Sequence, residues 1–255
     1  MRPRGLLFII VACLSASSAR ADVFDRVLLP VALTAETPGA FGSRWVTQLT
    51  ARNDNDETVI ITPSPGGCAI TVCPTREVSP RTTVTPEFEP AFPDPGAFVF
   101  VSHAGSSRVA FNLRVQDISR EALTWGTEIP VVRESDVHTD GLTLLDIPTD
   151  QRFRATLRVY DFDGAVDNLV LVHFFDLNGN VVLAEVPLRL SSPSGVGDTL
   201  VPGFAQVLSL SDTFPELAGR RLRIEITPLT QGVRYWAFVS VTNNETQHVT
   251  TVTPQ

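Results

Sequence analysis

The feature that most constrains this chain is a two-residue alternation of apolar and polar side chains along most of its length. In Trp45-Val46-Thr47-Gln48-Leu49-Thr50-Ala51-Arg52, the residues Trp45, Leu49 and Ala51 share one face, and Gln48, Thr50 and Arg52 share the other. Side chains of an extended chain alternate sides, so this pattern predicts a half-buried strand. Val109 to Val115 and Leu222 to Ile226 alternate in the same way. Leu169 to Phe175 is apolar on both faces and predicts a central strand. Turn-forming residues punctuate these runs at Asn53-Asp54-Asn55-Asp56, Asp163-Gly164 and Asn178-Gly179. The last pair suits a tight hairpin, because both residues tolerate positive φ. Helical signals are confined to Asp212 to Gly219, where Pro215 suits a first turn and Gly219 a stop. An all-β chain follows. Each strand has one apolar face to bury, so the sheets must pack in pairs as sandwiches.

A weak repeat divides the chain. Arg44 to Asn55 aligns with Arg152 to Asp163, 108 residues later. Each copy opens on Arg and an aromatic residue and closes in an acidic or amide turn. Val109, Phe111 and Leu113 align with Leu222, Ile224 and Ile226 at 113 residues, and Trp125 and Glu134 with Trp236 and Glu245 at 111. Ordered matches of this kind point to a duplicated domain. The expected layout is a sandwich over 22–137, a linker around His138-Thr139-Asp140-Gly141, and a second sandwich over 143–255.

Residues 1–21 have the three parts of a secretory signal: Arg2 and Arg4, an apolar run from Leu6, and the cleavage signal Ala19-Arg20-Ala21. A second reading takes Ile10-Val11-Ala12-Cys13 as a lipobox, with Cys13 lipidated as an anchor. Either way the chain is expected to be secreted, periplasmic or on the cell surface. Beyond the leader no apolar run is long enough to span a bilayer. An exported chain with two remaining cysteines, Cys68 and Cys73, predicts a disulfide closing a short loop. These cysteines sit in the stretch from Pro63 to Gly96, whose prolines suit edge strands and loops.

Charge and motifs bear on function. The net charge is −8, and every cation is Arg because the chain has no Lys. A nucleic-acid partner needs a basic footprint and is not expected. The motifs of nucleophilic hydrolases, zinc proteases, phosphate loops and dinucleotide folds are missing, so neither an enzyme nor a cofactor is expected. The four histidines, His103, His138, His173 and His248, are scattered, which disfavours zinc. Glu87 and Glu89 point the same way at strand spacing, as acid/base pairs require, but lie in the Pro-rich stretch. Asp161, Asp163 and Asp167 around Gly164 are the best calcium candidates, followed by Asp176, Asn178 and Asn180. Arg152, Arg154 and Arg158 share one strand face, and Arg221 and Arg223 another. If those strands neighbour, they form a cationic patch suited to anionic glycans or to the neighbouring domain.

Phe41-Gly42-Ser43-Arg44-Trp45 and Val241-Thr242-Asn243-Asn244-Glu245-Thr246, with the layout above, resemble tandem immunoglobulin-like domains of exported bacterial proteins. That resemblance implies recognition, adhesion or a structural role, with a protein or glycan partner at the cell surface. Arg120-Glu121-Ala122-Leu123-Thr124-Trp125 followed by Glu128-Ile129-Pro130 resembles a signature of periplasmic pilus chaperones. That family holds a subunit carboxylate with an Arg and a Lys, and this chain has no Lys. A carbohydrate-binding module is a further alternative and would need coplanar exposed aromatics. Trp236 and Phe238, opposite Tyr235 in parity, are the residues whose exposure would decide this.

Overall fold

The computed structural model describes residues 24–33, 36–63, 75–86, 96–120, 125–164, 167–191 and 201–255. The leader at 1–21, Cys13, Cys68, Cys73, Glu87 and Glu89 therefore lie outside the described residues.

The strands of the first half are β1 (Phe24–Leu29), β2 (Thr37–Pro38), β3 (Arg44–Asn53), β4 (Val59–Pro63), β5 (Arg76–Val78), β6 (Thr83–Val84), β7 (Ala97–Ser102), β8 (Val109–Asp117), β9 (Thr127–Ile129) and β10 (Val132–Arg133). Those of the second half are β11 (Leu142–Pro148), β12 (Phe153–Asp161), β13 (Asn168–Asp176), β14 (Val182–Leu190), β15 (Gly203–Val207), β16 (Arg221–Pro228), β17 (Tyr235–Asn243) and β18 (Val249–Val252). They form four antiparallel sheets. The first half has β10-β1-β7-β4-β5 facing β2-β3-β8-β9, with β6 also paired to β3. The second has β11-β16-β13-β14 facing β15-β12-β17-β18. Each pair encloses its own apolar core, and the buried residues keep the period of two. Leu49 and Ala51 of β3 point inward, as do Leu222, Ile224 and Ile226 of β16. β13 lies between β14 and β16, the central position that its doubly apolar sequence predicts.

The two halves follow one strand order. Replacing β1, β7, β4, β5 by β11, β16, β13, β14 turns one sheet into its counterpart, and replacing β6, β3, β8, β9 by β15, β12, β17, β18 does the same for the other. The match of Arg44–Asn53 with Arg152–Asp161 agrees with this order. The other two do not. By strand order β8 corresponds to β17 and β16 to β7, so Val109–Leu113 and Leu222–Ile226 are not equivalent. Trp125 precedes β9, whereas Trp236 lies inside β17. Any two alternating strands align by parity alone, which is why those matches misled.

The correspondence extends to strand ends. Asn53 and Asp161, both fully buried, cap the two equivalent strands. Each accepts the backbone N–H two residues on, from Asn55 and from Asp163, at 2.9 Å. Asp117 and Asn243 close β8 and β17 in the same way, accepting from Ser119 and Glu245. These Asx turns are how a short polar side chain stops a strand.

Asp117 also has a titration consequence. Burial pushes its carboxyl up, but hydrogen bonds from Ser119, the Arg44 backbone and Arg120 together outweigh that and hold it below its usual 3.8. A carboxylate depressed in the fold stabilises fully above its unfolded pKa and loses that contribution as pH falls through the folded one. Asp117→Asn is expected to lower stability by about 1–3 kcal/mol at pH 7 and by less at pH 3. Urea unfolding at both pH values checks this, and an equal loss at both would exclude the carboxylate as its source.

Two local expectations need correction. Asn178-Gly179 does not form a two-residue hairpin. Five residues connect β13 to β14, neither member of the pair has positive φ, and Gly179 N–H bonds the Asp176 carbonyl. The register shift at Phe174 and Phe175 takes up the longer connection. Second, β12 and β16 lie in opposite sheets, so Arg152, Arg154 and Arg158 do not join Arg221 and Arg223 in a patch. The turn at Pro215–Leu217 falls within the expected segment, with Pro215 in its first turn, whereas the short helix at Leu210–Thr213 begins earlier, with Ser209 at its N-cap, and takes up the expected caps Asp212 and Thr213 as helical residues. Among the described residues no helix is long and apolar enough to cross a membrane.

The halves are joined by more than the connecting segment. The sheet of β12 and β17 is buried on both faces. Leu157, Val159, Ala237 and Val239 enter the second core, while Tyr160, Phe162, Trp236 and Phe238 belong to the first. Phe162 meets Phe98 of β7 with ring centroids 5.3 Å apart, and the Tyr160 hydroxyl donates to the Pro30 carbonyl. At Gly96, φ is +125° and an added Cβ would lie 2.9 Å from the Tyr160 ring, so only glycine fits beneath it. At the rim of this contact, Glu134 of the first half accepts from Arg26 at 2.6 Å and from Arg234 of the second at 3.2 Å, and Arg234 also grips Asp163. The connecting segment is pinned too, since His138 and Tyr235 exchange both backbone hydrogen bonds.

Candidate functional site: a crevice between the halves

Along the second face of β12, contact between the halves gives way to a crevice. Tyr160 is sealed against Pro30 and Gly96. Two, four and six residues back along the same face come Arg158, Thr156 and Arg154, with Arg152 beyond them at the mouth. Across the sheet they pair with Phe238, Ser240 and Thr242 of β17. These residues form the floor of a crevice of about 500 Å³. The opposite wall comes from the first half and includes Val31, Leu33, Trp45, Val115 and Ile129. Trp45 is fixed by its indole N–H, which donates to Ser43 Oγ at 2.9 Å. Gly39 is what lets it sit there, because a Cβ at that position would collide with the indole.

A wider opening of about 870 Å³ adjoins this crevice and shares Arg154 and Ser209 with it. At the rim stand two exposed apolar residues, Phe41 (68% exposed) and Leu208 (58%). Phe41 has φ +55° and Ser209 φ +44°, which for non-glycine residues is costly backbone. Such strain clusters at functional sites.

The electrostatics of the floor are uneven. Most described arginines have a carboxylate within 4 Å, and Arg152 is one, bound to Asp150 at 2.9 Å. That hydrogen bond lowers the Asp150 pKa and raises that of Arg152. Among the described residues, Arg154 and Arg158 have no such partner. Arg154 donates to Asn244 Oδ1 at 3.2 Å. Arg158 lies over the Phe238 ring at 5.7 Å and donates to Ser240 Oγ at 2.8 Å. Its Nε is shut off from water and has no acceptor. The described lining of the inner crevice holds no carboxylate, histidine or cysteine.

The other candidates are dispersed. Asp161 is fully buried and accepts from Asn168 at 2.8 Å, Asp163 is bound to Arg234, and Asp167 to Arg189. Three carboxylates engaged in different directions do not form a calcium cage. Asp176 is bound to Arg220. Among the described residues no three His, Cys, Asp or Glu gather where they could hold a metal. A Ser–Asp–His group exists, but in the wrong order for a nucleophile. Asp25 is central, bonded to both Ser106 Oγ and His103 Nδ1, so the serine has no base.

Trp236 and Phe238 are not an exposed platform. Both are buried between the halves, and Tyr235 on the opposite face is buried as well. The run Tyr235-Trp236-Ala237-Phe238-Val239 is apolar on both parities, which is the sequence signal for a doubly buried strand. Trp45, Ser240 and Leu208 were missed as site residues because they converge only in three dimensions. The chain matches no known protein family, no curated protein and no solved structure.

Proposed function

We propose that this chain is an exported, non-catalytic recognition protein of the cell surface or envelope, and that it receives its ligand in the crevice between its halves. The leader at 1–21 supports export. The observation that carries the binding reading is the pair Arg154 and Arg158, which line the crevice without acidic partners among the described residues. Buried or half-buried charge is normally paired, so an unpaired cation in a concave site invites an anionic group. The lining supplies orientation and charge and no acid/base pair, which favours binding over turnover.

The halves read as tandem immunoglobulin-like sandwiches produced by duplication. Shared strand order supports duplication. In the second half the second strand neighbours the fifth and the third neighbours the sixth, as in immunoglobulin sandwiches, and once the short β2 is set aside the first half has the same pairs in β3–β6 and β4–β7. The first strand lies beside the sixth and the seventh beside the second, so the layout is a variant in which those two exchange sheets. A pilus-type chaperone is the second reading, favoured by an Arg-floored cleft between two sandwiches and opposed by the missing Lys.

The test is capture from solubilised envelope of the source cell, using the full chain and two variants. A single saturable partner retained by the unaltered chain and by Arg76→Glu, on exposed β5, but lost with Arg154→Glu is the expected result. Capture that ignores Arg154, or consumption of the captured molecule, would contradict the proposal.

A further inference from the structure

We infer that the crevice takes an amphiphilic organic anion, head inward against Arg158 and apolar tail outward across Trp45 and Leu208. This rests on the crevice being the binding site and adds the chemistry of what enters it.

The head is assigned by Arg158. A guanidinium presents five N–H donors in a fixed fork that matches a carboxylate. Ser240 Oγ accepts from Nη1, and among the described residues Nη2 has no acceptor, while Nε is closed off from anything that enters. Phe238 beneath the guanidinium plane holds the fork in place and supplies no negative charge. A carboxylate at the inner end would satisfy donors the chain leaves open, with Ser240 beside it.

The tail is assigned by the wall. Val31, Leu33, Val115 and Ile129 face the floor and offer no hydrogen bonds. They suit a hydrocarbon lying along this wall, while the hydroxyls and guanidiniums that meet polar groups lie mainly on the floor. Direction follows from the two ends. The inner end is closed by Tyr160 on Pro30, and the mouth carries exposed Leu208 and Phe41, apolar surface that a protruding tail would cover. A volume of about 500 Å³ suits a small molecule rather than a polymer. Arg154, four strand residues from Arg158 and so about 13 Å along the backbone, stands too far out to share the head and instead draws the anion in.

Isothermal titration calorimetry on the full chain tests this with octanoate, butanoate and octan-1-ol. Octanoate is expected to bind once per chain, with butanoate and octan-1-ol each about tenfold weaker or more, because each lacks one of the two interactions. Arg158→Gln should weaken octanoate about tenfold with Tm unchanged. Leu208→Ser should weaken octanoate and leave butanoate as it was. The comparison of octanoate with octan-1-ol needs no variant, so a poorly folding Arg158→Gln does not spare the inference. Absence of saturable octanoate binding, equal binding of octan-1-ol, or indifference to Arg158→Gln would overturn it. If octanoate fails while envelope capture still depends on Arg154, the inference falls and the recognition reading stands.

Discussion

Tyr160→Ala is expected to cost about 3–5 kcal/mol and to uncouple the two halves. Tyr160 is fully buried, stacked on Phe238 at 6.4 Å and packed against Phe204 at 5.2 Å, with its hydroxyl on Pro30 of the other half. Truncation removes a ring from the seam and leaves a cavity bordered by both sandwiches. It also orphans the Pro30 carbonyl. Tyr160→Phe separates the two effects, since it keeps the ring and loses only the hydrogen bond, at about 1–2 kcal/mol. Urea unfolding followed by tryptophan fluorescence reads both, because Trp45 and Trp236 report from opposite sides of the seam. A Tyr160→Ala protein as stable as the unaltered one would show that the halves do not depend on this contact.

Asn53→Ala is expected to cost about 2–4 kcal/mol, although it removes little apolar surface. The Asn53 amide donates to the carbonyls of Glu57 at 2.8 Å, Val78 at 2.9 Å and Ser79 at 3.2 Å. Its oxygen accepts from the Asn55 backbone at 2.9 Å and from the Asn55 amide at 2.8 Å. One buried side chain thus ties the end of β3 to the segments around β4 and β5. Asn53→Asp keeps the accepting oxygen but turns a second carboxylate oxygen toward three carbonyls, so it should not rescue stability at pH 7. Rescue by Asp would mean that the donated bonds contribute little. Asp161, the equivalent residue, carries a carboxylate where Asn53 carries an amide, because its buried neighbour is the donor Asn168.

The parts of the fold set by local periodicity were legible in the sequence. Alternation in β3, β8 and β16 gave the strands and their inward faces, and Leu169–Phe175 gave a central strand. Pairing was not legible, because period two aligns any strand with any other. The aligned segments at β3 and β12 hold equivalent places in the strand order, where an Asx turn adds a fixed landmark, and those at β8 and β16 do not, because parity is their sole guide. The site was half legible. Arg152, Arg154 and Arg158 share a face by parity, and that face does line the crevice. The fate of each guanidinium depends on what lies opposite. Arg152 finds Asp150 two residues away in sequence, whereas the wall facing Arg158 comes from distant residues, from Ile129 back to Val31. The acidic loop around Gly164 gave the opposite lesson. Its carboxylates suggested calcium, and distant arginines had already engaged them: Arg234 and Arg26 at the seam, and Arg189 across the sheet.

The central claim is that two sandwiches of one strand order form a single unit through the doubly buried sheet of β12 and β17, with the crevice as its open end. Differential scanning calorimetry of the unaltered chain tests it most directly. A single transition with equal calorimetric and van't Hoff enthalpies is the predicted result. Two transitions, each of roughly half the enthalpy, would show that the halves melt independently and that the crevice between them is not a fixed site.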